Sequence, residues 1–215
     1  MATPRNNEKI KDQAQMRTMG LRSALQGEKK RLDSERYVEG HAANYETYLL
    51  YDDGDYGKVY ERFEPGCFAE TDLSDVILQF DHAGRVYART TNGTLLVEAD
   101  KEGLFVAADL DKTEGARALY DDIAAQMITK MSWRFRVGTY HVERTEGSKD
   151  ITIVHTKIPK VYDVSAVSIP ANNATEINAR SWGDGVIAAA ARSEAELEEK
   201  RRRLRAKIKI LEVST

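Results

Sequence analysis

A single cysteine, Cys67, is all the thiol that the 215 residues contain, which excludes an internal disulfide framework and a thiolate-clustered zinc site. Histidine is scarce as well. The four present, His41, His82, His141 and His155, are too dispersed for the paired spacing of a histidine-built metal centre, so neither metal nor cofactor is expected. No apolar run approaches the roughly 20 residues that a membrane-spanning helix needs. The opening MATPRNNEKIKDQAQ lacks the apolar segment of a secretory signal, and the chain reads as soluble and cytosolic. A basic excess is missing too: 32 Lys and Arg stand against 35 Asp and Glu, for a net charge of −3, so nucleic-acid binding is not the default. What is present suffices to fold. With 41% hydrophobic residues and a length near the upper end of one domain, a single core with tails is expected.

Three regions follow from composition. Residues 1–36 are dominated by Lys, Arg, Glu and Gln with apolar residues at loosely helical spacing, and are expected to form a charged N-terminal arm, helical or disordered. From 37 to 180 the chain is a series of short β-like runs between Gly, Asp, Asn and Pro signals. Expected strands are Tyr45–Tyr51, Lys58–Phe63, Val76–Asp81, Val86–Thr90, Thr94–Glu98, Leu104–Leu110, Met131–Val142, Ile151–His155 and Val161–Ile169. Thr91-Asn92-Gly93 is a hairpin signal, and Pro170-Ala171-Asn172-Asn173 should end the sheet. An amphipathic helix is expected from Thr113 to Lys130, with Ala118, Leu119, Ile123 and Met127 on one face. The core is therefore mostly β with embedded helices, an α+β fold. Residues 181–215 read as a Gly-rich linker followed by a charged helix over Ser193–Leu211, acid first and base last, with a Leu197, Leu204, Ile208, Leu211 stripe suited to a short coiled-coil contact or a solvated tail.

Three residues stand out against this background. In Met131–Val137, alternation puts Ser132 on one face with Arg134 and Arg136, either as an ordinary solvent-facing row or as a nucleophile whose oxyanion lies near fixed positive charge. His82 closes the apolar strand Val76–Asp81 beside a turn, a place for a structural cap or for a general base that reaches a neighbouring strand. Asp163 interrupts the apolar run Val161–Val167, where a carboxylate must be paired: with a structural donor, or as the acid that orients a histidine. In the chain order His, Ser, acid, the three compose a plausible hydrolytic triad on a β scaffold.

Several segments carry a more specific likeness. Tyr60-Glu61-Arg62-Phe63-Glu64-Pro65-Gly66-Cys67-Phe68 resembles the E-x-x-x-PG-A-F segment of the tailed-phage prohead (procapsid maturation) serine proteases, and Phe80-Asp81-His82 with Gly84-Arg85 resembles a shortened form of their H-D-x-x-x-P-I-G-R segment. Gly103-Leu104-Phe105-Val106 matches their GL-x-V strand. Met131–Val137 is similar to their S-x-G-F strand, and Tyr162–Asn172 resembles Y-E-V-S-x-V-x-x-P-A-N. The five ordered matches cover roughly Tyr45 to Ile177.

The resemblance implies an assemblin-like antiparallel β-barrel core with flanking helical arms, related in fold to the herpesvirus assembly proteases. It implies a serine endopeptidase that cleaves scaffold and capsid-protein extensions, and itself, within the immature capsid (prohead) in the host cytoplasm. Its partners would be the major capsid protein and the scaffold protein, in a homo-oligomer, without nucleic acid or membrane. His82 would be the base, Ser132 the nucleophile and Asp163 the acid, standing where the family usually has Glu. Arg134 occupies the usual Gly position and, with Arg136, would support the oxyanion. The alternatives are a catalytically inactive assembly protein that keeps the fold, and a cysteine protease using Cys67.

Overall fold

The computed structural model describes residues 14–23 by their backbone and 30–52, 54, 57–144, 147–168, 185–189, 191–192, 195–203 and 205 in full. Among these lie the strands β1 (Ala14–Ser23), β2 (Tyr37–Asn44), β3 (Tyr48–Asp52), β4 (Lys58–Phe63), β5 (Ile77–Phe80), β6 (Ala83–Arg89), β7 (Leu95–Ala99), β8 (Gly103–Asp109), β9 (Lys130–Arg136), β10 (Tyr140–Arg144), β11 (Ile151–His155) and β12 (Lys160–Val167). The helix α1 (Glu114–Ala124) joins β8 to β9, so the fold is mostly β with few helices. Eight strands form one sheet in the order β6-β5-β12-β9-β1-β2-β8-β7, and four form another in the order β10-β11-β4-β3.

The expected closed antiparallel barrel is not found among the described residues. Both sheets are open, and two of their ladders, β12 with β5 and β11 with β4, are parallel. The larger sheet is nevertheless strongly curled. Its two end strands, β6 and β7, are consecutive in the chain, and a link of five residues spans at most about 20 Å. Across that link the Arg89 N–H donates to Thr94 Oγ1 at 2.9 Å, and Gly93 turns the chain at φ 74°. Asn92-Gly93 thus makes a tight turn but no hairpin: β6 pairs with β5 and β7 with β8.

Other expectations are corrected where distant pairing overrides local pattern. Ala14–Ser23, expected in a helical or disordered arm, is β1. Its first seven residues pair with β9 and its last three with β2. β2 has no counterpart among the expected strands. Met131–Val142 is two strands in different sheets, divided at Gly138, where a Cβ would lie 2.3 Å from the Lys157 carbonyl oxygen. The helix begins as expected, Thr113 accepting from the Ala116 N–H as N-cap. It stops at Ala124, ahead of a left-handed Gln126, so its buried face is Ala116, Leu119 and Ile123, while Ala118 and Met127 are exposed.

The core gathers on one face of β9. Trp133 and Phe135 stack at 4.2 Å between ring centroids, and Phe63 of β4 touches both. Phe63 and His155, on adjacent parallel strands, stack at 4.8 Å. The smaller sheet therefore packs against the Trp133 and Phe135 side of β9, leaving Ser132 and Arg134 on the other. Beyond residue 184, Val186 joins the core. Residues 195–203 are helical, with the Arg203 guanidinium donating to Glu199. The Pro170–Asn173 terminator, Gly183, Asp184 and the stripe positions Leu204, Ile208 and Leu211 lie outside the described residues.

Candidate active site

Phe80 of β5 faces Ala83 of β6, so Asp81 and His82 alone make the turn between these strands. Both adopt left-handed backbone, with φ of 47° and 56°, as a type I′ turn requires at its two central positions. Gly enters that region freely and Asn and Asp more readily than other residues, while a non-glycine residue held there still costs about 1–3 kcal/mol. Five contacts hold the turn. The Asp81 N–H donates to the Ala166 carbonyl at 2.9 Å, and its carboxylate accepts from the Ser168 N–H at 3.0 Å and hydroxyl at 2.9 Å. The His82 carbonyl accepts from an Arg134 Nη at 3.1 Å, and the His82 ring meets Asp163.

Asp163 reaches this side of the sheet through a bulge. Along β12, Val161 pairs with Phe135 of β9 but Asp163 pairs with Arg134, leaving Tyr162 as the extra residue. Without it Asp163 would share Val161's face, in the aromatic core. With it, Asp163 and Ser165 lie on the face of Arg134 and Ser132, their register partners. The Asp163 side chain is only 3% exposed and is fully partnered, as a buried carboxylate must be. Its Oδ1 accepts from His82 Nδ1 at 2.5 Å and from the Ser165 hydroxyl at 3.0 Å, and its Oδ2 faces Arg134 Nε at 3.1 Å.

A carboxylate can only accept, so the proton sits on His82 Nδ1 and the lone pair of the neutral ring on Nε2. Nε2 is buried and has no partner among the described residues. It is not yet engaged by the Ser132 hydroxyl, a contact that commonly tightens only with substrate in place. Ser132, 4% exposed, lies on β9 directly opposite Ser165. Ser132 and Asp163 thus lie on one face of the neighbouring strands β9 and β12, with His82 in the β5–β6 turn bonded to Asp163.

The arginines are placed differently from expectation. Arg134 is engaged with Asp163 and the His82 carbonyl rather than free for an oxyanion, and Arg136 is four positions along β9 from Ser132, roughly 13 Å of strand. His155 is wholly buried against Glu61 in the smaller sheet, and His141 is exposed beside Glu143. The Cys67 thiol is 2% exposed, and burial, with the Glu64 charge behind it, pushes its pKa up to about 12. A thiol so protonated is no nucleophile. Two contributors escape the sequence reading, Ser165 and Asp81. Ser165 was within reach of it, since it stands two residues from Asp163 on one strand face.

The sequence profile of the caudovirus prohead serine proteases matches residues 25–184, a span that contains the whole constellation. Among solved structures the chain is similar to the capsid assembly protease of bacteriophage T4, at 13% identity and a TM-score of 0.39, over 74% of this chain and 98% of that one. No curated protein matches. With about three quarters of its length inside the family profile, including His82, Ser132 and Asp163, the chain belongs to the caudovirus prohead serine protease family.

Proposed function

We propose that this chain is the serine endopeptidase of prohead maturation, with Ser132 as nucleophile, His82 as general base and Asp163 as orienting acid. The observation that carries the reading is the state of His82: Nδ1 is tied to a buried carboxylate, while Nε2 is left without a partner beside the strand that bears Ser132. In the reaction Nε2 accepts the Ser132 hydroxyl proton as Oγ bonds to the peptide carbonyl carbon. The imidazolium, stabilised by Asp163, returns that proton to the leaving amine as the C–N bond breaks. Water, deprotonated by the same nitrogen, then hydrolyses the acyl-enzyme and regenerates Ser132. Backbone N–H groups are the donors left for the oxyanion.

The substrates proposed are the extensions of the major capsid protein and the scaffold protein, together with the protease's own arms, cleaved by a homo-oligomer inside the immature capsid in the host cytoplasm. Incubating the purified chain with its own capsid and scaffold proteins and reading the new termini by mass spectrometry tests this. Cleavage by the wild type and its loss, by roughly a thousandfold or more, in a folded Ser132→Ala variant is the expected result. New termini near the core boundaries should appear in the wild type and not in Ser132→Ala. Wild-type-like cleavage by Ser132→Ala would remove Ser132 from the mechanism. Failure of a serine-directed phosphonate to label Ser132 would favour a non-catalytic assembly role.

A further inference from the structure

Among the described residues, Arg134 is the one cation bonded to both halves of the acid–base pair. Its Nε lies 3.1 Å from Asp163 Oδ2, and an Nη donates at 3.1 Å to the carbonyl of His82. Its Cα faces that of Asp163 across the ladder, so the side chain needs no reach to make the first contact and spends its length on the second. The circuit closes through the ring: His82 Nδ1 to Asp163 Oδ1, Asp163 Oδ2 to Arg134, and Arg134 back to the His82 backbone. A carboxylate's terminal torsion is broad and two-fold. A guanidinium on Oδ2 and a serine hydroxyl on Oδ1 remove that freedom, and the planar fork is suited to holding two acceptors at a fixed spacing. The second contact falls on a residue in left-handed backbone, a conformation that persists only where surrounding contacts over-determine it.

We propose that Arg134 is a positioning residue that locks the acid and the base to one another, and not an oxyanion ligand; the inference rests on the triad assignment above. Its action is exerted through the His82–Asp163 hydrogen bond, so removing it should weaken that bond and slow the chemical step while leaving substrate binding nearly unchanged.

The test compares full-length wild type, Arg134→Gln and Arg134→Lys, each checked for folding by thermal melting. Peptide kinetics use a sequence spanning a site mapped in the capsid digest, and low-field proton NMR follows the His82 Nδ1–H resonance, assigned by its loss in His82→Ala. Arg134→Gln should lower kcat roughly tenfold or more with KM within about twofold, and should broaden or shift the low-field resonance. Arg134→Lys keeps the charge but not the fork, and should resemble Gln rather than wild type. If Arg134→Gln does not fold, Arg134→Lys decides by the same two readings. Unchanged kcat with an unchanged resonance would overturn the proposal. So would a large loss of kcat with the resonance intact, the result an oxyanion role would give. The resonance should persist in Ser132→Ala, since Ser132 is not a partner of the His82–Asp163 bond, so failure of the nucleophile assignment would leave the judgement on Arg134 separate.

Discussion

Asp163 accepts from three elements at once: the β5–β6 turn through His82, β9 through Arg134, and its own strand through Ser165. With the Asp163 side chain only 3% exposed, that fixes the length of the acid. One added methylene must push against packed neighbours, at about 1–3 kcal/mol, and carries the carboxylate past His82 Nδ1. Asp163→Glu alone should therefore cut kcat about tenfold or more, even though Glu stands at this place in the segment the chain resembles. The same segments put Gly where Arg134 stands, and the two departures are direct cross-strand partners. Combining Asp163→Glu with Arg134→Gly frees the space the guanidinium fills, and should restore activity above either single variant, a coupling that a double-mutant cycle measures. Additive losses would show that the two positions do not share one space. His82, Ser132 and Asp163 were legible in the sequence because a polar side chain at a strand end or within an apolar run needs a reason. The partner of Arg134 was not, since only the bulge at Tyr162 turns Asp163 toward it.

The β5–β6 turn shows how an element sets that geometry. Its sequence, Asp-His, has a suitable first residue for a type I′ turn but lacks the glycine usual at the second, and side-chain bonds help to keep it there. Asp81→Gly relieves the left-handed backbone at that position but removes both bonds to Ser168, whereas Asp81→Ala loses the bonds and keeps the strain. Ala should thus be the less stable of the two, by about 1 kcal/mol, in denaturant unfolding. Both should lose activity, since Ser168 no longer anchors the residue before His82. Wild-type kcat in Asp81→Gly would show that the bonds to Ser168 are not needed to hold the histidine. Elements with alternation or a continuous apolar run between turn signals of their own, β4, β7, β8 and β11, fall within two residues of expectation. β1 and β2 were illegible because their polar and apolar residues do not alternate cleanly, and what makes them strands is their neighbours in the sheet.

At the scale of the whole molecule the curled sheet has two halves. β6, β5, β12 and β9 carry the site, and β2, β8 and β7 are held to the segment before β2 by a cluster around Asp100. Asp100 accepts from Arg31 at 2.9 Å, from the Glu102 N–H at 2.9 Å and lies 3.0 Å from His41 Nε2, while the Arg31 guanidinium covers the Phe105 ring at 3.6 Å. Burial alone would raise the Asp100 pKa, but the Glu102 N–H, Arg31 and His41 outweigh it and hold the carboxyl at about 2. Asp109 is likewise lowered, burial again outweighed, here by Ser34 and Lys112, and Asp75 is lowered by Arg89. A depressed folded-state pKa stabilises the fold above the unfolded value of about 3.9, and the contribution is lost as pH falls through the folded value. For Asp100 that is about 2 kcal/mol, present at neutral pH and withdrawn between about pH 4 and pH 2. Urea unfolding of the wild type followed across that window should show stability falling steeply. Asp100→Asn, with no carboxyl to titrate, should start less stable at pH 7 and lose less on acidification, so that the two curves approach one another near pH 2. Parallel curves across the window would mean that Asp100 titrates alike in the folded and unfolded chain, and that the cluster joining the segment before β2 to the β7–β8 turn does not hold this half of the sheet.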